Sequence, residues 1–258
     1  MFQMKSHTAL LWLLILGLPA LQAGCKRTPE LTGLPPEEVL LETSDGFSLP
    51  GDLYVPDSDV PPPGLILLHM YNSDKTAWKQ FARYAQEEGF LCVAYDMRGH
   101  GRSHSENWKA KSSGDPWRDE DVLDALDDIR YAKNLLVARG ADPENLFVVG
   151  ASIGANLGLA YANGDPDIQG IVMLSPGLIY KNLAIGSTIT EIGDRPLLFI
   201  SAEGDSYAAS SSATLKDKAS GYSELRTYKG SAHGTDLLDA HSTATPQILQ
   251  WLAPIISK

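Results

Sequence analysis

A serine hydroxyl becomes a useful nucleophile only with a base in hydrogen-bond reach, and a histidine serves best when a carboxylate fixes its tautomer. Ser152, Asp205 and His233 are spaced to offer that set. Ser152 is the centre of Gly150-Ala151-Ser152-Ile153-Gly154, directly behind the apolar run Asn145-Leu146-Phe147-Val148-Val149. A G-x-S-x-G between a buried strand and a helix makes a sharp turn with the serine at its apex, and the glycines sit where a Cβ would obstruct it. Downstream, Pro196-Leu197-Leu198-Phe199-Ile200 ends in Ser201-Ala202-Glu203-Gly204-Asp205, and Leu225-Arg226-Thr227-Tyr228 runs into Lys229-Gly230-Ser231-Ala232-His233-Gly234. Each reactive group therefore follows a strand. In a parallel sheet, such groups gather outside the strands' carboxyl ends. Glu203 and Asp194 flank the same strand as Asp205 and are rival carboxylates, while His241 competes with His233 from a polar connection.

The elements that must position these groups alternate along the chain. Two strands flank an Asp45-Gly46 turn between Leu40 and Val55, and a proline-rich link leads to the strand Leu65-Ile66-Leu67-Leu68. A helix is expected from about Asp74 to Glu88, then a strand from Phe90 to Tyr95 and a helix from near Trp117 to Arg139-Gly140. Strands follow at Leu146–Val149, Ile168–Leu174, Leu197–Ile200 and Leu225–Tyr228, and a closing helix begins at Pro246. Continuous apolar strands alternating with helices predict an α/β fold, a mostly parallel sheet of about eight strands covered on both faces. Trp78, Trp117 and Trp251 fall on helix faces as core residues, and the acidic stretch from Asp119 to Asp128 reads as a solvated helix face.

With the order Ser, Asp, His on one sheet edge, the chain resembles the α/β-hydrolases, nearest to their dienelactone-hydrolase-like and esterase branch. The likeness extends from about Glu38 to the C-terminus. It includes Asp96-Met97-Arg98-Gly99-His100-Gly101-Arg102-Ser103, similar to the D-x-R-G-x-G-x-S loop of that family, and His69-Met70-Tyr71, where the family places its oxyanion loop. The resemblance implies Ser152 as nucleophile, His233 as base and Asp205 as its orienting acid. It also implies an oxyanion hole from the backbone N–H groups of Met70 and Ile153, although no HGGG-type glycine run is present. Acyl transfer of this kind needs neither metal nor cofactor. His100 and His104 are spaced i,i+4 but have no third ligand in register, so a structural or solvated role is expected.

About twenty residues separate Leu174 from Leu197, where many members of the family insert a helical cap. A short flap is expected there, with Leu178 and Tyr180 joining Tyr71 as substrate contacts over an open site. The expected substrate is a small-molecule ester or other acyl compound. A peptidase, thioesterase or perhydrolase would use the same residues, and a lipoprotein using the fold as a scaffold is the rival from another class.

The N-terminus pairs Lys5 with the apolar stretch Ala9 to Leu18 and small residues at Ala20, Ala23 and Gly24, the pattern of a secretory signal peptide. Leu21-Gln22-Ala23-Gly24-Cys25 is similar to the lipobox of bacterial lipoproteins, with Gln22 at a position usually aliphatic. The expected organisation is a signal peptide over 1–24, a lipid-anchored tether over 25–36 with Cys25 acylated, and one hydrolase domain over 37–258. The enzyme would then face the periplasm or cell exterior from a membrane. Cys92, in an apolar strand, reads as a buried hydrophobe. A net charge of −11, without a basic stripe, argues against nucleic acid as a partner. The sequence does not determine the oligomeric state.

Overall fold

The computed structural model describes residues 34–104, 117 and 119–256. The expected signal peptide, Cys25 and most of the expected tether lie outside them. Strands β1 (Glu37–Glu42) and β2 (Ser48–Tyr54) form a hairpin around Asp45-Gly46. Strand β3 (Pro63–Leu68) leads through a 3₁₀ turn at Lys75–Trp78 into α1 (Lys79–Glu87), then β4 (Leu91–Tyr95) and α2 (Asp119–Ala138). Strand β5 (Asp142–Ala151), α3 (Ile153–Gly164) and β6 (Ile168–Leu174) follow. A hairpin of β7 (Ile179–Tyr180) and β8 (Leu183–Ala184) precedes the short α4 (Thr188–Glu191). The chain closes with β9 (Leu197–Ala202), α5 (Ser206–Lys218), β10 (Ser223–Tyr228), α6 (Asp236–Ala240) and α7 (Ala244–Leu252).

Eight strands make one sheet in the order β1-β2-β4-β3-β5-β6-β9-β10. Strand β2 runs antiparallel to both neighbours, and the pairs from β4 onward are parallel. This is the expected α/β architecture. Successive side chains of a strand point to opposite faces, and β3 shows what that does here. Ile66 and Leu68 join Val93, Val148, Ile171 and Phe199 in a core beneath α2 and α3, where Val122, Ile129, Leu136, Ala155 and Leu159 meet them. Leu65 and Leu67 join Cys92, Phe147, Val172 and Leu198 in a second core under α1 and α7, with Trp78, Phe81, Ile248 and Trp251. Each such aliphatic side chain contributes about 1.5–3 kcal/mol by leaving water, so both faces hold the strand ends rigidly in place.

The Asp74 carboxylate accepts the Thr76 N–H and caps the 3₁₀ turn, so the expected helix begins where its cap residue stands. The described part of the loop after β4 is tied down by Asp96, which accepts the Lys75 and Arg102 N–H groups at 2.9 and 2.8 Å. Arg98 is buried with the equally buried Asp128 in a two-pronged ion pair, 2.7 Å on one prong, and also reaches Asp45 at 3.0 Å. The acidic stretch is therefore not wholly the solvated face expected: Asp128 is a buried structural partner, and Asp121 is buried as well.

Candidate active site

Strand β5 delivers Ser152 at a strained turn. Its φ is +54° and ψ −119°, sparsely populated values for a residue with a Cβ, and such conformations cost about 1–3 kcal/mol. The flanking glycines make the turn possible. A Cβ on Gly150 would lie 2.3 Å from the Gly154 carbonyl oxygen, and one on Gly154 would lie 2.4 Å from that of Leu68. The Ser152 N–H bonds the Leu174 carbonyl at 2.8 Å, locking the turn to the end of β6.

Beyond β9, Glu203 N–H bonds the Tyr228 carbonyl at 2.8 Å and Gly204 N–H bonds that of Gly230 at 2.7 Å. A Cβ on Gly204 would sit 2.8 Å from that Gly230 oxygen, so the loops after β9 and β10 touch through bare backbone. Asp205 stands at the entrance to α5, and His233 projects from the loop after β10. Their side chains meet: His233 Nδ1 is 2.5 Å from Asp205 Oδ2, and His233 Nε2 is 2.8 Å from Ser152 Oγ. A carboxylate only accepts, so Nδ1 carries the proton and donates it to Asp205. Nε2 then presents its lone pair to the Ser152 hydroxyl. Of the rival carboxylates, Glu203 is exposed, and Asp194 lies against Gly221 before the opposite end of β9. His241 bonds the Lys229 carbonyl at 2.9 Å through Nε2.

Met70 follows β3, and its sulfur would be 2.8 Å from a Cβ on Gly234, the neighbour of His233. Ile153 opens α3, so its N–H is one of the first-turn donors that lack a partner within the helix. His69 fixes the loop from below. Its Nε2 accepts the Met97 N–H at 3.1 Å, so Nδ1 donates to the Met70 carbonyl at 2.8 Å. Burial, aided by nearby His100, pushes its pKa down to about 3, which keeps it neutral. The Tyr71 ring packs edge-on against His100 and Trp117 at 5.2 and 5.8 Å, with the Lys181 ammonium 4.1 Å from its centroid. His100 is buried and bonds the Arg98 carbonyl, whereas His104 is exposed.

The segment between β6 and β9 forms the short flap foreseen, held more firmly than its length suggests. Its base starts at Ser175, which has φ +49°, donates to the Ile200 carbonyl and accepts the Gly234 N–H on Oγ at 3.0 Å. Tyr180 reaches back, its phenol donating to the Ser175 carbonyl at 3.2 Å and its ring lying 6.3 Å from that of His233 at 88°. Burial pushes the phenol up to about 12, with the Ser152 hydroxyl close enough to pull the other way. Leu178 is half-buried against the core and accepts the Ile185 N–H. Two residues that hold this region, Asn156 and Tyr207, are not among the sequence candidates. Asn156 alone carried a signal, as a polar side chain within the small, apolar first turns of α3.

Residues 61–192, just over half of the chain, match the family model described as serine aminopeptidase, S33. The chain belongs to this family of α/β-hydrolases. Membership makes it a hydrolase by lineage. A curated relative, the acyltransferase drtE of Aspergillus calidoustus, is 32% identical over 141 residues, covering 54% of this chain. The chain spans 42% of that relative's length. Among solved structures, the monoglyceride lipase of Saccharomyces cerevisiae superposes with a TM-score of 0.70 at 14% identity, covering 89% of this chain and 98% of its own. A putative dienelactone hydrolase from Klebsiella pneumoniae gives a TM-score of 0.66 at 16% identity, covering 84% and 98%. At such identities the two share the fold.

Proposed function

We propose that this hydrolase cleaves carboxylic esters through an acyl-enzyme on Ser152. The observation that carries the reading is the unbroken line from Asp205 through His233 to the Ser152 hydroxyl, at 2.5 and 2.8 Å. As Ser152 Oγ attacks the carbonyl carbon, its proton passes to His233 Nε2, and Asp205 stabilises the imidazolium. The tetrahedral oxyanion takes hydrogen bonds from the Met70 and Ile153 N–H groups. The carbon–oxygen bond to the alcohol then breaks, and His233 returns its proton to the departing oxygen. Water repeats the cycle on the acyl-enzyme, losing a proton to His233, and releases the acid with Ser152 restored.

Intact-mass spectrometry after treatment with a fluorophosphonate tests this. One adduct on Ser152 and hydrolysis of para-nitrophenyl acetate are expected, both lost in Ser152→Ala. A folded wild-type protein that takes no adduct would be a scaffold instead. The family description favours a second reading, cleavage of an amide. Faster turnover of aminoacyl arylamides than of matched aryl esters would establish it.

We also propose that the enzyme is exported and tethered by a diacylglycerol on Cys25, supported by the apolar leader and the Leu21-to-Cys25 motif. Metabolic labelling with an alkynyl fatty acid should mark the protein and not Cys25→Ala. Label surviving in the variant, or absent from both, refutes the tether.

A further inference from the structure

We propose that Tyr180 determines specificity on the leaving-group side of the site, restricting the enzyme to esters of small alcohols. This rests on the ester-hydrolase reading. The alcohol oxygen must take its proton from His233 Nε2, so the alcohol departs alongside the imidazole. Tyr180 occupies that flank. Its ring stands perpendicular to the His233 ring, 6.3 Å away, and its phenol is bonded at Ser175 beside Ser152.

The ring has little freedom to yield. Gly177 lies behind it so closely that a Cβ there would be 2.7 Å from Tyr180 and 2.8 Å from Tyr207. The Tyr207 ring backs Tyr180 at 5.6 Å. The Tyr207 hydroxyl accepts the Ile179 N–H at 3.0 Å and donates to the Ile179 carbonyl at 2.8 Å, clasping the flap to α5. Asn156 clasps it to α3, accepting the Gly177 N–H at 3.2 Å and donating to the Gly177 carbonyl at 2.9 Å. These two helices begin directly after Ser152 and Asp205. The wall is therefore anchored to the same elements as the reacting groups, and a bulky alcohol cannot displace it without straining the site.

The test compares kcat/KM for methyl and cyclohexyl acetate, normalised to the fraction labelled by fluorophosphonate. Wild type should prefer the methyl ester strongly. In Tyr180→Ala that preference should fall about tenfold or more, while Tyr180→Phe keeps it, because the ring is the obstacle. Tyr207→Phe, which loosens the flap and keeps both rings, should give a smaller fall and serves if Tyr180→Ala does not fold. Across methyl esters of lengthening acids, the wild-type profile should persist in every variant. Labelled variants with an unchanged alcohol preference, or a shift only in the acid series, overturn the proposal and leave the ester-hydrolase reading intact. A folded wild type that neither labels nor cleaves any ester overturns both.

Discussion

Asn156 stands one helical turn beyond Ser152 and grips both backbone groups of Gly177, 21 residues further along the chain. The side chain is fully buried, so its polar atoms have no recourse to water. The helix that begins after Ser152 thus also fixes the flap above it.

Asn156→Leu keeps the branched outline of the side chain and removes every hydrogen bond. It leaves the Gly177 N–H and carbonyl buried and unpaired, and the loss of stability should be about 3 kcal/mol by urea unfolding. Since the flap loosens as well, the preference between methyl and cyclohexyl acetate should weaken in the same variant. A stability within error of wild type would show that the contact is dispensable.

Asp205→Asn preserves the shape beside His233 and reverses its tautomer preference, because an amide can donate to Nδ1. Ester turnover should drop by about 10⁴, and Ser152 should label correspondingly slowly. Glu203→Gln should stay close to wild type, its side chain being exposed. If the two variants behave alike, the acid has been misassigned.

Two glycines of α3 should respond oppositely to alanine. Gly154→Ala forces a Cβ onto the Leu68 backbone and should abolish activity or folding. At Gly164, nothing lies within 4 Å of the new Cβ. Gly164→Ala should therefore raise stability by about 0.5 kcal/mol through a less free unfolded chain. Differential scanning calorimetry separates the two.

His69 sets a pH dependence of stability. Its folded pKa, pushed down to about 3, lies below the ordinary value of 6.5. Between those values the unfolded chain binds the extra proton, so stability falls as pH drops through that window. Burial lowers His100 in the same direction. Each fully unprotonated histidine adds up to about 1.4 kcal/mol per pH unit to the slope. Unfolding midpoints from pH 7 to 4 should decline, and more gently in His69→Gln. Equal slopes would place the acid sensitivity elsewhere.

Much of this architecture was legible because its signals are local. The apolar runs of β3, β5 and β9 announce buried strands, and the glycines around Ser152 announce a turn that only they permit. Asp205 could be separated from Glu203 and Asp194 only by a resemblance, since all three flank one strand and their orientation depends on neighbours distant in sequence. Helix α5 left almost no apolar trace. Its buried positions Ala208, Ser211, Ser212 and Leu215 have helical spacing, but serines hold the middle two. The partners of Asn156 and Tyr207 were not legible for a related reason. Each side chain acts on flap backbone more than 20 residues away, and backbone carries no side-chain signature.

The contact between Gly204 and Gly230 has a bearing on redesign. Because those loops meet main chain to main chain, the gap between Asp205 and His233 is set by loop conformation. Inserting or deleting a residue in either loop would uncouple the pair, however conservative the substitution around it. Grafting this site onto another scaffold, or exchanging it between relatives, therefore means moving both loops as one cassette.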